Sequence, residues 1–147
     1  DPQPLEYLSS TTDKTRGGID LTVEVHLSSA AMRAKGLSAV RLSQGNMRDL
    51  YWTTAQMLTH HASNGCNLRP GDLLGSGTIS GEARESWGSL MELSWRGSKP
   101  LELPGGERRT FLEDGDELIL RGFAQREGHT RIGLGECRGM VMPAASP

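Results

Sequence analysis

The chain has 147 residues, with 16 basic against 18 acidic side chains and a formal charge of −2, which at roughly 150 residues per domain reads as one domain. Hydrophobic residues make up 35%, aromatic residues 5%, and there are 19 glycines, a composition that favours turn-rich β structure over a helical bundle. Such a balance excludes a basic nucleic-acid face, no apolar run reaches the roughly 18 residues of a membrane span, and no leader-like start is visible.

Residues 1–18 carry no sustained periodicity, and the opening Asp1-Pro2-Gln3-Pro4 has linker composition. From Ile19 the pattern changes: Ile19, Leu21, Val23, Val25 and Leu27 alternate with polar residues, the period of a half-buried strand. Leu37 to Leu42 is its expected partner after the Lys35-Gly36 turn. Asn46 then reads as the N-cap of a helix over 46–63, with Asp49 in its first turn and Met47, Leu50, Tyr51, Thr54, Met57, Leu58 and His61 at helical spacing. Asn64-Gly65 ends it. Arg69-Pro70-Gly71-Asp72 predicts a type II turn.

Leu73 to Ser80 reads as a strand interrupted by Gly75 and Gly77. Ser89 to Trp95 alternates, with Met91, Leu93 and Trp95 on one face and Leu90, Glu92 and Ser94 on the other. Further short strands are predicted at Leu101–Leu103, Thr110–Leu112, Glu117–Phe123 and Arg131–Val141. The spacing of turn signals points to a mainly β (α+β) roll, sandwich or barrel with one main helix.

Few residues announce chemistry. His60 and His61 are adjacent, so on a helix they point about 100° apart and do not share one metal. There is no Cys-x-x-Cys and no His-Glu-x-x-His. Cys66 and Cys137 are too few for a disulfide scaffold and are expected as free thiols of a reduced, cytoplasmic protein. Gly75-Ser76-Gly77-Thr78-Ile79-Ser80-Gly81 lacks the Lys-Ser/Thr of a phosphate loop. Glycines within a strand mark either packing or the approach of a ligand, and in the second case Thr78 presents its hydroxyl at a pocket rim. Glu92 is either an exposed strand carboxylate or a cleft carboxylate that orients a histidine. Asp114 and Asp116 read as turn residues.

Longer segments carry a resemblance. Tyr51-Trp52-Thr53, Gln56-Met57-Leu58-Thr59-His60-His61 and Asn64-Gly65-Cys66-Asn67-Leu68-Arg69-Pro70-Gly71-Asp72-Leu73-Leu74 lead into Ser76-Gly77-Thr78-Ile79-Ser80-Gly81 and Gly88-Ser89-Leu90-Met91-Glu92-Leu93-Ser94-Trp95. With Arg109-Thr110-Phe111-Leu112, Asp114-Gly115-Asp116-Glu117 and Gly133-Leu134-Gly135-Glu136-Cys137, they closely resemble the C-terminal part of the fumarylacetoacetase family. The resemblance implies a mixed β-sheet roll or barrel, with 19–147 as part of a catalytic domain and 1–18 as a linker-like segment. It implies hydrolysis of a carbon–carbon bond in 4-fumarylacetoacetate, the last step of tyrosine and phenylalanine breakdown, by a cytoplasmic homodimer using Mg²⁺ or Ca²⁺. Glu92 matches the family's glutamate that orients the base histidine, and Thr78 its substrate-contacting threonine. The metal ligands and that histidine have no matching position here, so these 147 residues alone are expected to hold no ion tightly and to be inactive. Two further readings stand beside this one: a related hydrolase or decarboxylase of β-dicarbonyl acids, and a non-catalytic β domain.

Overall fold

A computed structural model describes residues 3–145. Its centre is a four-stranded antiparallel sheet in the order β2-β1-β5-β6, built from β1 (Thr22–Ser28), β2 (Val40–Asn46), β5 (Glu117–Ala124) and β6 (Ile132–Met140). A small hairpin of β3 (Leu101–Glu102) and β4 (Arg108–Arg109) lies apart from it in the hydrogen-bonding order. The alternation that predicted the first strand sets the register: Val25 stands opposite Leu120 and Leu27 opposite Leu118.

A five-residue helix, α2 (Ala30–Ala34), sits between β1 and β2. Ser29 caps it by accepting the Met32 N–H at 3.0 Å. That turn drives Met32 into the small apolar core beside Leu27 and Leu103, with Val40, Leu42 and Leu118 packed around them. The hairpin is fastened to the same region by charge. Arg109 is buried and forks onto the fully buried Asp116 through Nε at 3.0 Å and Nη2 at 3.2 Å. Glu107 takes a second Arg109 bond at 2.9 Å and the Ser29 hydroxyl.

Residues 3–18, expected as linker-like, contain a turn of 3-10 helix at Glu6–Leu8 and a helix α1 (Thr11–Arg16). They lie against α3 (Thr54–Ala62): Tyr7 Oη meets His60 Nδ1 at 2.8 Å, and Gln56 donates to the Leu8 carbonyl at 3.1 Å.

Several expectations are corrected. Among the described residues no sheet closes into a barrel, and every pairing is antiparallel rather than mixed. The helix expected over 46–63 begins at Thr54; Asn46 caps only a 3-10 turn, Met47–Asp49. Thr53 and Gln56 form a reciprocal capping box, and that pair of satisfied donors fixes the start more firmly than one Asn side chain does. Leu73–Ser80 is not a strand, and Leu73 is 98% exposed. The type II turn before it is formed: Gly71 has φ +99° and Asp72 N–H reaches the Arg69 carbonyl at 3.1 Å. The strand expected over Ser89–Trp95 is instead a single helical turn, α4 (Leu90–Leu93). The turn residue Asp116 is the buried partner of Arg109.

Candidate functional site

Glu92 lies in α4, whose N-cap is Ser89. The Ser89 side chain accepts the Glu92 N–H at 3.3 Å and its hydroxyl meets Glu92 Oε2 at 2.7 Å. Ser80, from the loop before α4, places a second hydroxyl 2.9 Å from the same oxygen. Among the described residues Oε1 takes no hydrogen bond. Arg84 holds the other end of the turn by donating to the Leu93 carbonyl at 2.8 Å.

The loop supplying Ser80 closes on itself. Gly81 N–H bonds the Ser86 carbonyl at 3.2 Å, and Gly88 N–H bonds Ser80 Oγ at 3.0 Å. At Gly88 the Thr78–Ile79 backbone passes so close that a side chain there would collide with the Ile79 carbonyl and meet Thr78 Cγ2 at 2.8 Å. Only glycine permits that approach. Thr78, which is exposed, lies beside Gly88, and the half-buried Glu92 is bonded to the next residue, Ser89.

Glu92 opens onto a cleft of about 750 Å³ lined also by Trp87, Met91, Trp95 and Arg96. Met91 and Trp95 are 57% and 52% exposed. They therefore stand on the side of Glu92 and not on the opposite, core-facing side that strand alternation predicted; only Leu93 of that trio is buried. The two indoles meet edge to face at 5.9 Å, and Lys99 Nζ lies 4.3 Å over the Trp95 ring. Beyond α4 the backbone turns left-handed at Trp95 (φ 50°) and Arg96 (φ 56°). This is a conformation side-chain-bearing residues avoid, and it costs on the order of 1–3 kcal/mol each. Arg96 N–H to the Met91 carbonyl at 2.7 Å and Lys99 N–H to Ser94 at 2.8 Å hold it. Strain of this kind collects at functional sites. No sequence signal marked it, since neither residue is glycine or asparagine.

Toward the sheet, Val25, Leu42, Leu118 and Leu120 line an adjoining apolar cavity of about 490 Å³ with Leu90, Phe111 and the same Trp87 and Met91 that line the cleft. It has no charged lining residue, so the polar chemistry belongs to the Glu92 side.

The four histidines bond elsewhere: His26 to Glu24 at 3.2 Å, His60 to Tyr7 at 2.8 Å, His61 to Cys66 at 3.2 Å and His129 to the Glu127 carbonyl at 3.1 Å. Cys66 and Cys137 are free and exposed. Among the described residues no three His, Cys, Asp or Glu side chains gather in a metal-holding group. Among the same residues no helix is long and apolar enough to cross a membrane.

Comparison with known proteins gives the class. Residues 9–142 match the family model described as fumarylacetoacetate (FAA) hydrolase C-terminal. The chain belongs to this family. It is 49% identical over 148 aligned positions to the fumarylacetoacetase of Rattus norvegicus, covering 100% of the chain and 33% of that relative. It is 45% identical to the fumarylacetoacetase of Arabidopsis thaliana, over 98% of the chain and 32% of the relative. To that of Dictyostelium discoideum it is 42% identical, again over 98% and 32%. The chain thus spans about a third of the length of the curated relatives it matches.

Proposed function

We propose that this chain is the C-terminal part of a hydrolase that cleaves a carbon–carbon bond of 4-fumarylacetoacetate, giving fumarate and acetoacetate. The observation that carries the reading is Glu92: one carboxylate oxygen is held by two hydroxyls, the other is free to accept, and the group borders a cleft. In this reading Oε1 accepts a hydrogen bond from the imidazole of a base histidine contributed by chain beyond these residues. The negative charge fixes the ring and stabilises the imidazolium formed as the imidazole takes a proton from water. The hydroxide adds to the fumaryl carbonyl carbon. The carbon–carbon bond then breaks, its electron pair leaves on the acetoacetate side, and that carbanion takes up a proton. Thr78, exposed beside Gly88, contacts the substrate.

The same reading assigns the rest. A Mg²⁺ or Ca²⁺ ion, held by acidic residues outside these 147, supplies charge stabilisation when bound. Residues 19–147 belong to the catalytic domain and 1–18 lead into it. The intact protein is a cytoplasmic homodimer of tyrosine and phenylalanine breakdown. Family membership at 42–49% identity supports the substrate class.

The test is Glu92→Gln in the intact protein, followed by loss of the substrate's ultraviolet absorbance with metal saturating. Glutamine keeps the shape and removes the charge, so kcat should fall about 10²–10⁴-fold, the usual worth of general-base assistance, with KM little changed. Near wild-type turnover would return Glu92 to a structural role.

A further inference from the structure

We infer that Ser80 and Ser89 are positioning residues that aim Glu92, locking Oε2 so that only Oε1 is offered to the group the carboxylate serves. The inference rests on the reading of Glu92 as an orienting carboxylate, and it follows from hydrogen-bond bookkeeping around two hydroxyls. Ser80 Oγ accepts the Gly88 N–H at 3.0 Å, and Ser89 Oγ accepts the Glu92 N–H at 3.3 Å. A serine hydroxyl has one proton to give. With a backbone N–H settled on an acceptor site of each oxygen, each proton is directed to Glu92 Oε2, at 2.9 Å from Ser80 and 2.7 Å from Ser89. An ionised carboxylate only accepts, so two donors converging on one oxygen fix its rotation and leave the remaining capacity on the other.

The two supports are independent in the chain. Ser89 is the cap of the helix that carries Glu92. Ser80 comes from the loop closed by the Gly81–Ser86 bond, which is seated on β2 where Gly45 lies against Ile79 and Ser86. A glutamate on a four-residue helix would otherwise lose rotamer freedom each time it engaged a partner; the clamp removes that freedom beforehand.

The clamp is tested in the intact protein by a double-mutant cycle. Ser80→Ala should lower kcat about 10–100-fold, the range of a charge-assisted hydrogen bond, and leave KM nearly unchanged. In a Glu92→Gln background the same change should cost less than about twofold, because the charge that it positions is gone. An equal loss in both backgrounds would mean that Ser80 acts on stability or on another group, and would overturn the inference. A silent Ser80→Ala beside a damaging Glu92→Gln would overturn it while leaving the reading of Glu92 intact; a silent Glu92→Gln would remove that reading itself. Should Ser80→Ala fail to fold, Ser89 separates cap from clamp. Ser89→Gly keeps an acceptable N-cap at little cost but has no hydroxyl to donate, whereas Ser89→Thr keeps both cap and donor. Turnover of the Gly variant should lie about tenfold or more below that of the Thr variant, and equal turnover would overturn the assignment.

Discussion

Asp116 looks like a turn residue in sequence, yet it carries more structural consequence than any carboxylate in the candidate site. It is fully buried and accepts both fork nitrogens of Arg109 together with the Glu113 N–H at 2.9 Å. Its carbonyl accepts from Val141 N–H at 2.8 Å, where the chain leaves β6. The hydrogen bonds to Asp116, then those to Glu107, push the Arg109 guanidinium above its ordinary range against the opposing effect of burial. Removing one partner of a buried pair costs about 3–5 kcal/mol where the other charge is left uncompensated; Glu107 and Glu113 would still pair with Arg109 at 2.9 and 3.2 Å, which puts Asp116 at the lower end of that range. Asp116→Ala should therefore destabilise the domain by that amount in urea titration of the intact protein. Arg108→Ala breaks the Glu102 pair at 2.7 Å, but both of those side chains are well over half exposed, and it should cost under about 1 kcal/mol. Comparable losses from the two would mean that burial does not set the difference.

At the scale of elements, what was legible in sequence depended on whether one rule or two competed for the same residues. β1 was legible because alternating apolar residues have one reading once half-buried in a sheet, and β5 because turn signals at Asp114-Gly115-Asp116 and Arg126-Glu127-Gly128 bracket its apolar run. α3 existed in the pattern, but its start did not: Asn46 is a good cap and does cap a turn, while the Thr53…Gln56 box lies seven residues later and holds two donors. α4 was lost to a conflict. Met91, Leu93 and Trp95 alternate like a strand, whereas Ser89-x-x-Glu92 is the spacing that starts a helix, and with Ser89 on the Glu92 N–H the helical turn prevails. That same spacing was the one available signal for half of the serine clamp; Ser80, nine residues before Ser89, gave none. Glu92 and Thr78 themselves stood out by family resemblance, because pattern alone left each of them two readings. Thr53 offers a direct test of what begins α3. Its Oγ1 accepts the Gln56 N–H at 3.1 Å and donates to Asp13 Oδ2 at 2.7 Å. A cap of this kind contributes about 1 kcal/mol, so Thr53→Ala should lower hydrogen-exchange protection of the first α3 amides roughly fivefold. Unchanged protection there would show that packing against Leu8 and Tyr7, and not the capping box, sets the helix start.

For the whole molecule, the decisive quantity is surface. A compact protein of 15.9 kDa exposes about 7,400 Å² by the size scaling of folded monomers, whereas this chain exposes 10610 Å². The difference lies in identifiable places. All nine residues of β6 are exposed, with Ile132 and Leu134 at 64% and 66%, and β6 is an outer strand of the open sheet. The segment around Leu73 and Leu74 packs on little, and the apolar wall beside α4 leaves Met91, Phe111 and Leu120 partly bare. Against this stand, among the described residues, six buried apolar side chains, Leu8, Leu27, Met32, Leu93, Leu103 and Ile119, of which Leu27, Met32 and Leu103 form one cluster. An open edge strand with bare apolar residues is a template for pairing with another chain, and so small a core resists it weakly. The 147-residue chain expressed by itself should accordingly enhance the fluorescence of an apolar dye such as ANS and associate as its concentration rises in sedimentation velocity, whereas the intact protein should do the first far less. Exposed apolar area of this size also predicts that the isolated chain loses its near-ultraviolet circular dichroism well before its far-ultraviolet signal on mild heating, as packing of the few core side chains gives way while the hydrogen-bonded sheet persists. A dye-silent, concentration-independent monomer with one cooperative transition would mean that the sheet is covered in a way this arrangement of strands does not provide.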